Sequence, residues 1–265
     1  MPTADLITGV RLHYEVEGEG PPLLLLAGMM SDGASWGPVV PPLARAFAVI
    51  RPDNRTTGRT MPTEAPAGLA EWAGDAVALL DHLGVSRAHV AGHSLGGLIA
   101  LHMAATAPAR VGQLALLTSA PIRVPRTHAI LRHLLSLRAE GMAPDLWLRG
   151  LFPWLFHPRL FDDPAAVDAM VAQSLAYPHA QGPAAMARQL DAFERSLATL
   201  ALPDPPPPTL AILAGGDLLL PPEIARPALA PLSRIVEIAE AGHSVHWDAP
   251  EAVARHLLVH LTESA

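Results

Sequence analysis

Short, uninterrupted apolar runs alternate along this chain with segments whose apolar residues recur every three or four positions, and no other feature restricts the fold as much. The runs "PPLLLLAG" (21–28), "FAVIRPD" (47–53), "AHVAGH" (88–93), "QLALLTSA" (113–120), "TLAILAGG" (209–216) and "RIVEIAEA" (234–241) show little polar alternation, the mark of strands buried on both faces. "RLHYEVEG" (11–18) alternates instead, as a half-exposed strand does. Helical patterns fall between them at 69–84, 95–108, 221–232 and 249–261. This order predicts an α/β fold: a mostly parallel central sheet with helices on both faces and its active residues on loops at the strands' C-terminal ends.

The rhythm stops between about 122 and 204, where four successive segments have helical spacing and none reads as a strand. The expectation is a core domain made of 1–121 and 204–265, interrupted by a helical cap at 122–203. "LPDPPPPTL" (202–210) closes the insertion as a stiff, extended connector. The second helix of the insertion carries Leu146, Trp147, Leu151, Phe152, Trp154, Leu155 and Phe156, more large apolar side chains than one amphipathic stripe needs. Some of the aromatics, namely Trp147, Phe152, Trp154 and Phe156, are expected to line an apolar substrate pocket.

Several function classes are disfavoured by composition. The net charge is −7 and the charges are scattered, so no basic footprint for nucleic acid exists. All 18 cations are arginine, and a chain without lysine has no phosphate-cradling Gly-x-x-x-x-Gly-Lys loop. The absence of cysteine removes disulfides, thiolate metal sites and cysteine nucleophiles together. Neither a His-Glu-x-x-His metal motif nor a nicotinamide-binding Gly-x-Gly-x-x-Gly is present, so no metal and no cofactor are expected. The first twenty residues lack a basic stretch followed by an apolar run, and no apolar segment approaches the ~20 residues of a membrane span, so a cytoplasmic protein without a membrane partner is expected.

The chemistry concentrates in "VAGHSLGGL" (90–98), where an apolar strand ends and a helix begins. Gly92 and Gly96 flank Ser94 in a Gly-x-Ser-x-Gly pattern, whose tight turn exposes the serine oxygen and lets strand and helix approach closely. A serine hydroxyl is a poor nucleophile without a base to take its proton and donors to hold the oxyanion formed on attack. The helix N-terminus supplies a favourable field, and the Leu95 N–H is available as one such donor.

With these residues the chain resembles the α/β-hydrolase family from about residue 20 to 262. The resemblance implies a triad in the chain order serine, acid, histidine. In "EAGHSVHWDAPEAV" it points to His243 as the base, and in "AILAGGDLLLPPE" to Asp217 as the acid that orients it. An acid one strand earlier is excluded, because 110–125 contain no Asp or Glu. His246 is the nearest competitor for the base and is expected in the packing or the pocket wall. His93 is expected to support the turn.

Two stretches depart from the family's pattern. The His-Gly-x loop that supplies the second oxyanion donor appears as "LLLLAGMMSDGASW" (23–36), with Ala27 in place of the histidine. The resemblance makes the Met29 N–H the donor and places Met30 beside the pocket, but the side chain that often braces the loop is gone. The Asp-x-Arg-Gly-x-Gly loop appears as "DNRTTGR" (53–59), with Thr56 where glycine is usual and Asp53 and Arg55 expected as structural ties.

The implied activity is hydrolysis of a carboxylic ester or lactone of a small, mainly apolar molecule through an acyl-enzyme. Aspartate-nucleophile members of the family are disfavoured, because position 94 is serine. Thioester hydrolysis, C–C bond hydrolysis and perhydrolysis use the same triad, and a slow-turnover ligand receptor of the same fold is the alternative from another class.

Overall fold

Leu23 to Leu26 point alternately to opposite sides of a sheet, and all four are almost wholly buried, as a run without polar alternation requires. The computed structural model describes residues 2–262. Its eight strands are β1 (Thr3–Asp5), β2 (Arg11–Glu17), β3 (Pro22–Leu26), β4 (Ala48–Pro52), β5 (Ala88–His93), β6 (Val111–Leu117), β7 (Thr209–Ala214) and β8 (Arg234–Ile238). They form one sheet in the order β1-β2-β4-β3-β5-β6-β7-β8, antiparallel at β1 and β2 and parallel from β4 to β8.

Two apolar layers cover the sheet. On one face Leu24, Leu26, Val90, Leu114 and Leu116 pack with Trp72 and Leu79 of α2 (Leu69–His82) and Ile99 of α3 (Leu95–Thr106). On the other, Leu23, Leu25, Ala115 and Leu117 meet Val40 and Leu43 of α1 (Val40–Leu43) and Leu257 and Leu261 of α10 (Pro250–Thr262). Successive residues of one strand thus serve opposite layers, the period-two geometry of a doubly covered sheet. Each fully buried leucine contributes about 2 kcal/mol of hydrophobic stabilisation, so the central strands anchor whatever their ends carry.

Between β6 and β7 lie α4 (Pro125–Ala139), α5 (Pro144–Leu155), α6 (Pro164–Ala176) and α7 (Pro183–Ser196), with no strand among the described residues of this stretch. α4 packs against α5 and α7, and α5 against α6. Leu131, Leu134, Trp147, Leu151, Met186 and Leu190 form a small core of their own there. After β7 come α8 (Pro222–Leu229) and the short α9 (Val245–Asp248). Among the described residues no helix is long and apolar enough to cross a membrane. Sequence patterning did not single out β1, which at three residues is too short to show a period.

Candidate active site

The turn between β5 and α3 puts Ser94 at φ 50° and ψ −117°, a left-handed conformation that a non-glycine residue holds only under constraint. The constraints are visible. The Ser94 N–H donates to the Leu117 carbonyl at 2.9 Å, and the Ser119 hydroxyl donates to the Ser94 carbonyl at 2.7 Å. A Cβ on Gly92 would collide with the Gly96 carbonyl, and one on Gly96 with the Leu26 carbonyl, so both flanking glycines are steric requirements of the turn.

Opposite the hydroxyl stands His243, on the loop between β8 and α9. Ser94 Oγ lies 2.9 Å from His243 Nε2, and His243 Nδ1 lies 2.9 and 3.1 Å from the two carboxylate oxygens of Asp217. Asp217 follows β7, and its Oδ1 also accepts the N–H groups of Leu219 and Leu220 at 2.9 and 2.8 Å, which fixes the carboxylate plane. The His243 carbonyl accepts from the Thr118 hydroxyl at 2.8 Å and from His93 Nε2 at 2.9 Å. Asp248 takes the Gly242 and His157 N–H groups at 2.7 and 2.9 Å, pinning the entry to this loop. Burial raises the Asp248 carboxyl above its ordinary range, and these two donors oppose that shift.

Leu95 begins α3, and its N–H, unlike that of Gly97, which donates to the Ser94 carbonyl at 3.0 Å, has no acceptor among the described residues. The loop after β3 lacks the family's bracing histidine, and other side chains hold it. Asn54 Nδ2 donates to the Ala27 carbonyl at 3.0 Å, and Gly28 sits so close to the His93 ring that a Cβ would lie 2.7 Å from its Nδ1. From α7, Gln189 accepts the Met30 N–H at 2.8 Å. Among the described residues the Met29 N–H has no acceptor. The second departing loop is held as a structural tie: Arg55 forms a buried two-pronged pair with Asp75 at 2.6 Å, while Asp53 takes the Gly33 and Arg59 N–H groups. Thr56 takes φ 75° there, which is why glycine suits the position.

A cavity of about 430 Å³ opens between Ser94, His243 and the helices α4 to α7. Met30, Trp147, Phe152, Phe156 and His246 line it, and Leu148, Leu155 and Trp247 join them. Trp154 does not. With about 100° of turn per residue, the cavity-facing positions of α5 spread from Trp147 in one rotational sense. Trp154 lies just past Trp147 in the other sense, so it packs partly buried against the core of the insertion. A second cavity of about 80 Å³ is bordered by Leu98, Ile122, Val124 and Phe193. Ser94, Met29, His243, Leu131 and Leu219 border both, so the serine stands at their junction.

Residues not anticipated give the larger cavity a polar end. The Tyr177 hydroxyl donates to Asp32 Oδ2 at 2.6 Å, joining the insertion to the loop after β3, and Gln181 Nε2 donates to the Thr56 carbonyl at 2.7 Å. Burial raises the Asp32 carboxyl despite the tyrosine's hydrogen bond, and burial with the same bond pushes the Tyr177 phenol up. His246 is enclosed by Trp36 and His93, with ring centroids 5.0 and 4.5 Å away, and burial lowers it to about 3, with the neighbouring His243 adding to the shift. Burial also holds His93 well below the ordinary histidine value. For Gln189 a signal exists in the sequence: it interrupts the otherwise apolar stripe Ala185, Met186, Leu190, Phe193 of α7.

Comparison with known proteins places this geometry among relatives. A protein of Azorhizobium caulinodans provisionally named carbamate hydrolase RutD is 32% identical over 93% of each chain. An esterase from Thermogutta terrifontis superposes with a TM-score of 0.80 at 25% identity, over 98% of this chain and 97% of that one. An enol-lactonase from Burkholderia xenovorans superposes at 0.84 over 99% and 100%, and at 24% identity it speaks for the fold alone. The family model described as "Alpha/beta hydrolase family" matches residues 23–256. A match that long, running through every element that carries Ser94, Asp217 and His243, makes the chain a member of the alpha/beta hydrolase family.

Proposed function

We propose that the chain is a serine hydrolase that cleaves a carboxylic ester or lactone of a small, mainly apolar molecule. The observation that carries this reading is the hydrogen-bonded line from Ser94 Oγ through His243 to Asp217, opening on a cavity walled by α5. His243 Nε2 takes the Ser94 proton as the oxygen attacks the carbonyl carbon, and the electron pair of the C=O bond moves onto oxygen. The N–H groups of Met29 and Leu95 receive that oxyanion. Collapse breaks the bond to the leaving oxygen, which takes the proton from His243. Water, deprotonated by the same imidazole, then releases the acid from Ser94. Asp217 holds the tautomer with the proton on Nδ1 and stabilises the imidazolium.

The inserted helices roof the serine with an apolar wall that receives the substrate's apolar group while the water that releases the acid still reaches His243, and the reading requires no metal or cofactor. The esterase neighbour supports the bond class. The relative named a carbamate hydrolase favours a second substrate class, carbamates, whose carbonyl would meet the same groups. Turnover of p-nitrophenyl acetate, butyrate and N-methylcarbamate by the purified protein tests both. Ser94→Ala should abolish turnover while leaving the melting temperature within about 2 °C, a shift well below what core damage produces in a domain of this size. Retained activity in that variant would exclude the serine mechanism.

A further inference from the structure

We infer that Gln189, on the inserted helix α7, is a positioning residue that holds the Met29 N–H in place for the oxyanion. The inference rests on the ester-hydrolase reading above, and it concerns a side chain that lies outside both cavities.

An oxyanion hole works only if its donors are aimed before the charge forms. Between Ala27 and Ser31 the chain lies outside helix and sheet, with one long turn bond from the Ser31 N–H to the Gly28 carbonyl at 3.4 Å, so side chains supply the rest of its orientation. Two do so on either side of the critical one. Asn54 fixes the Ala27–Gly28 peptide through its carbonyl at 3.0 Å, and Gln189 fixes the Met29–Met30 peptide through its N–H at 2.8 Å. The peptide between them carries the Met29 N–H, which has no acceptor among the described residues.

Met30 itself has φ 61°, an arrangement a non-glycine residue keeps only where its surroundings over-determine it. The Gln189 amide does so together with Ser31, whose N–H and hydroxyl donate to the Gly28 and Met29 carbonyls at the longer distance of 3.4 Å. The Gln189 side chain has no exposed surface, and its Nε2 has no partner among the described residues. A glutamine with half its amide unmet lowers stability relative to the apolar residues that fill the rest of this stripe, so its acceptor oxygen is the part with a use. The bond spans 159 positions and joins the insertion to the core at the oxyanion loop.

The test uses two probes of Ser94: p-nitrophenyl acetate, which requires turnover, and a fluorophosphonate, which labels the serine whatever the natural substrate is. Gln189→Met keeps the length and removes the acceptor. It should lower kcat and the rate of fluorophosphonate labelling together by about tenfold, a fraction of the 10²–10³ that loss of an oxyanion donor costs. KM should stay within about twofold, since ground-state binding is untouched. Gln189→Glu, which still offers Met30 an acceptor, should recover most of both rates. Arg188→Ala, which removes an exposed contact to the Thr63 carbonyl and a surface charge near Glu64, should match the parent.

Unchanged kcat and labelling in Gln189→Met, or a rise in KM alone, would overturn the inference. Should that variant fail to fold, Gln189→Ala adds no bulk and is read by the same criteria. A parent protein that is labelled at Ser94 yet hydrolyses no ester defeats the ester reading instead, and the labelling rates still decide the role of Gln189.

Discussion

The His93 ring donates from Nε2 to the backbone carbonyl of His243 at 2.9 Å, so the neighbour of Ser94 in sequence holds the loop whose imidazole faces the serine. The carbonyl can only accept, which places the ring proton on Nε2 and leaves Nδ1 bare beside Gly28. His93 therefore touches both the loop that carries His243 and the loop after β3.

Removing that donor should loosen Ser94 and His243 relative to each other. His93→Leu is expected to lower kcat/KM about tenfold and stability by about 0.5–1.5 kcal/mol, the net worth of one hydrogen bond, since the Thr118 hydroxyl still donates to the same carbonyl. His93→Gln, whose amide nitrogen reaches a similar distance, should retain more of both. Steady-state kinetics and urea unfolding decide it, and equal losses in the two variants would show that ring packing matters more than the bond.

Buried histidines also set the response to acid. His246 is held at about 3 and His93 below the ordinary value, both chiefly by burial, so the folded protein binds fewer protons than the unfolded chain below pH 6.5. Their contribution to stability is complete above the unfolded pKa near 6.5 and is lost as the pH falls toward the folded values. Each group adds at most about 1.4 kcal/mol per pH unit to that slope. His246→Leu should flatten the decline between pH 6 and 4 in urea titrations. An unchanged slope would mean that the ring is protonated in the fold.

Ser94 is legible in sequence from its Gly-x-Ser-x-Gly turn after an apolar strand, and Asp217 and His243 through the family resemblance, which ties Gly-Gly-Asp and Gly-His to the ends of later strands. Strand and turn patterns are local, so they survive without knowledge of the packing. Gln189 on Met30 and Tyr177 on Asp32 are contacts across 159 and 145 positions, set by how the helices between β6 and β7 dock on the loop after β3. No local pattern records that docking. Trp154 shows the same limit from the other side. Its residue type and helix were readable, but Trp147 marks the rotational edge of the cavity, and only the placement of α4 and α7 decides which side of it is lined.

Two unequal chambers meeting at Ser94 predict an unequal substrate. The smaller, at about 80 Å³, holds a short chain and the larger, at about 430 Å³, a bulkier group. Of two ester series, one lengthened on the acyl side and one on the alcohol side, one should lose kcat/KM sharply after three or four carbons. Val124→Ala and Ile122→Ala enlarge the smaller chamber and should move that break outward by one carbon, with about a fourfold gain for the longer ester per methylene accommodated. A break that stays in place in both variants would remove the smaller chamber as the limiting site.

Asp217→Asn isolates the tautomer from the shape. Asp217 Oδ1 accepts the Leu219 and Leu220 N–H groups, so an asparagine there keeps its carbonyl oxygen on those donors and turns its NH₂ toward His243 Nδ1. Nδ1 must then accept, the ring proton moves to Nε2, and Nε2 can no longer take the proton of Ser94 across their 2.9 Å contact. The expected loss in kcat is on the order of 10⁴-fold with the fold intact, as the same exchange produces in a serine protease. Asp217→Ala also strands two buried N–H groups and should lose about 1–3 kcal/mol of stability besides. Measuring kcat and the melting temperature of both variants separates the two effects: activity in Asp217→Asn within tenfold of the parent would mean that Asp217 serves the Leu219–Leu220 turn and does not orient His243.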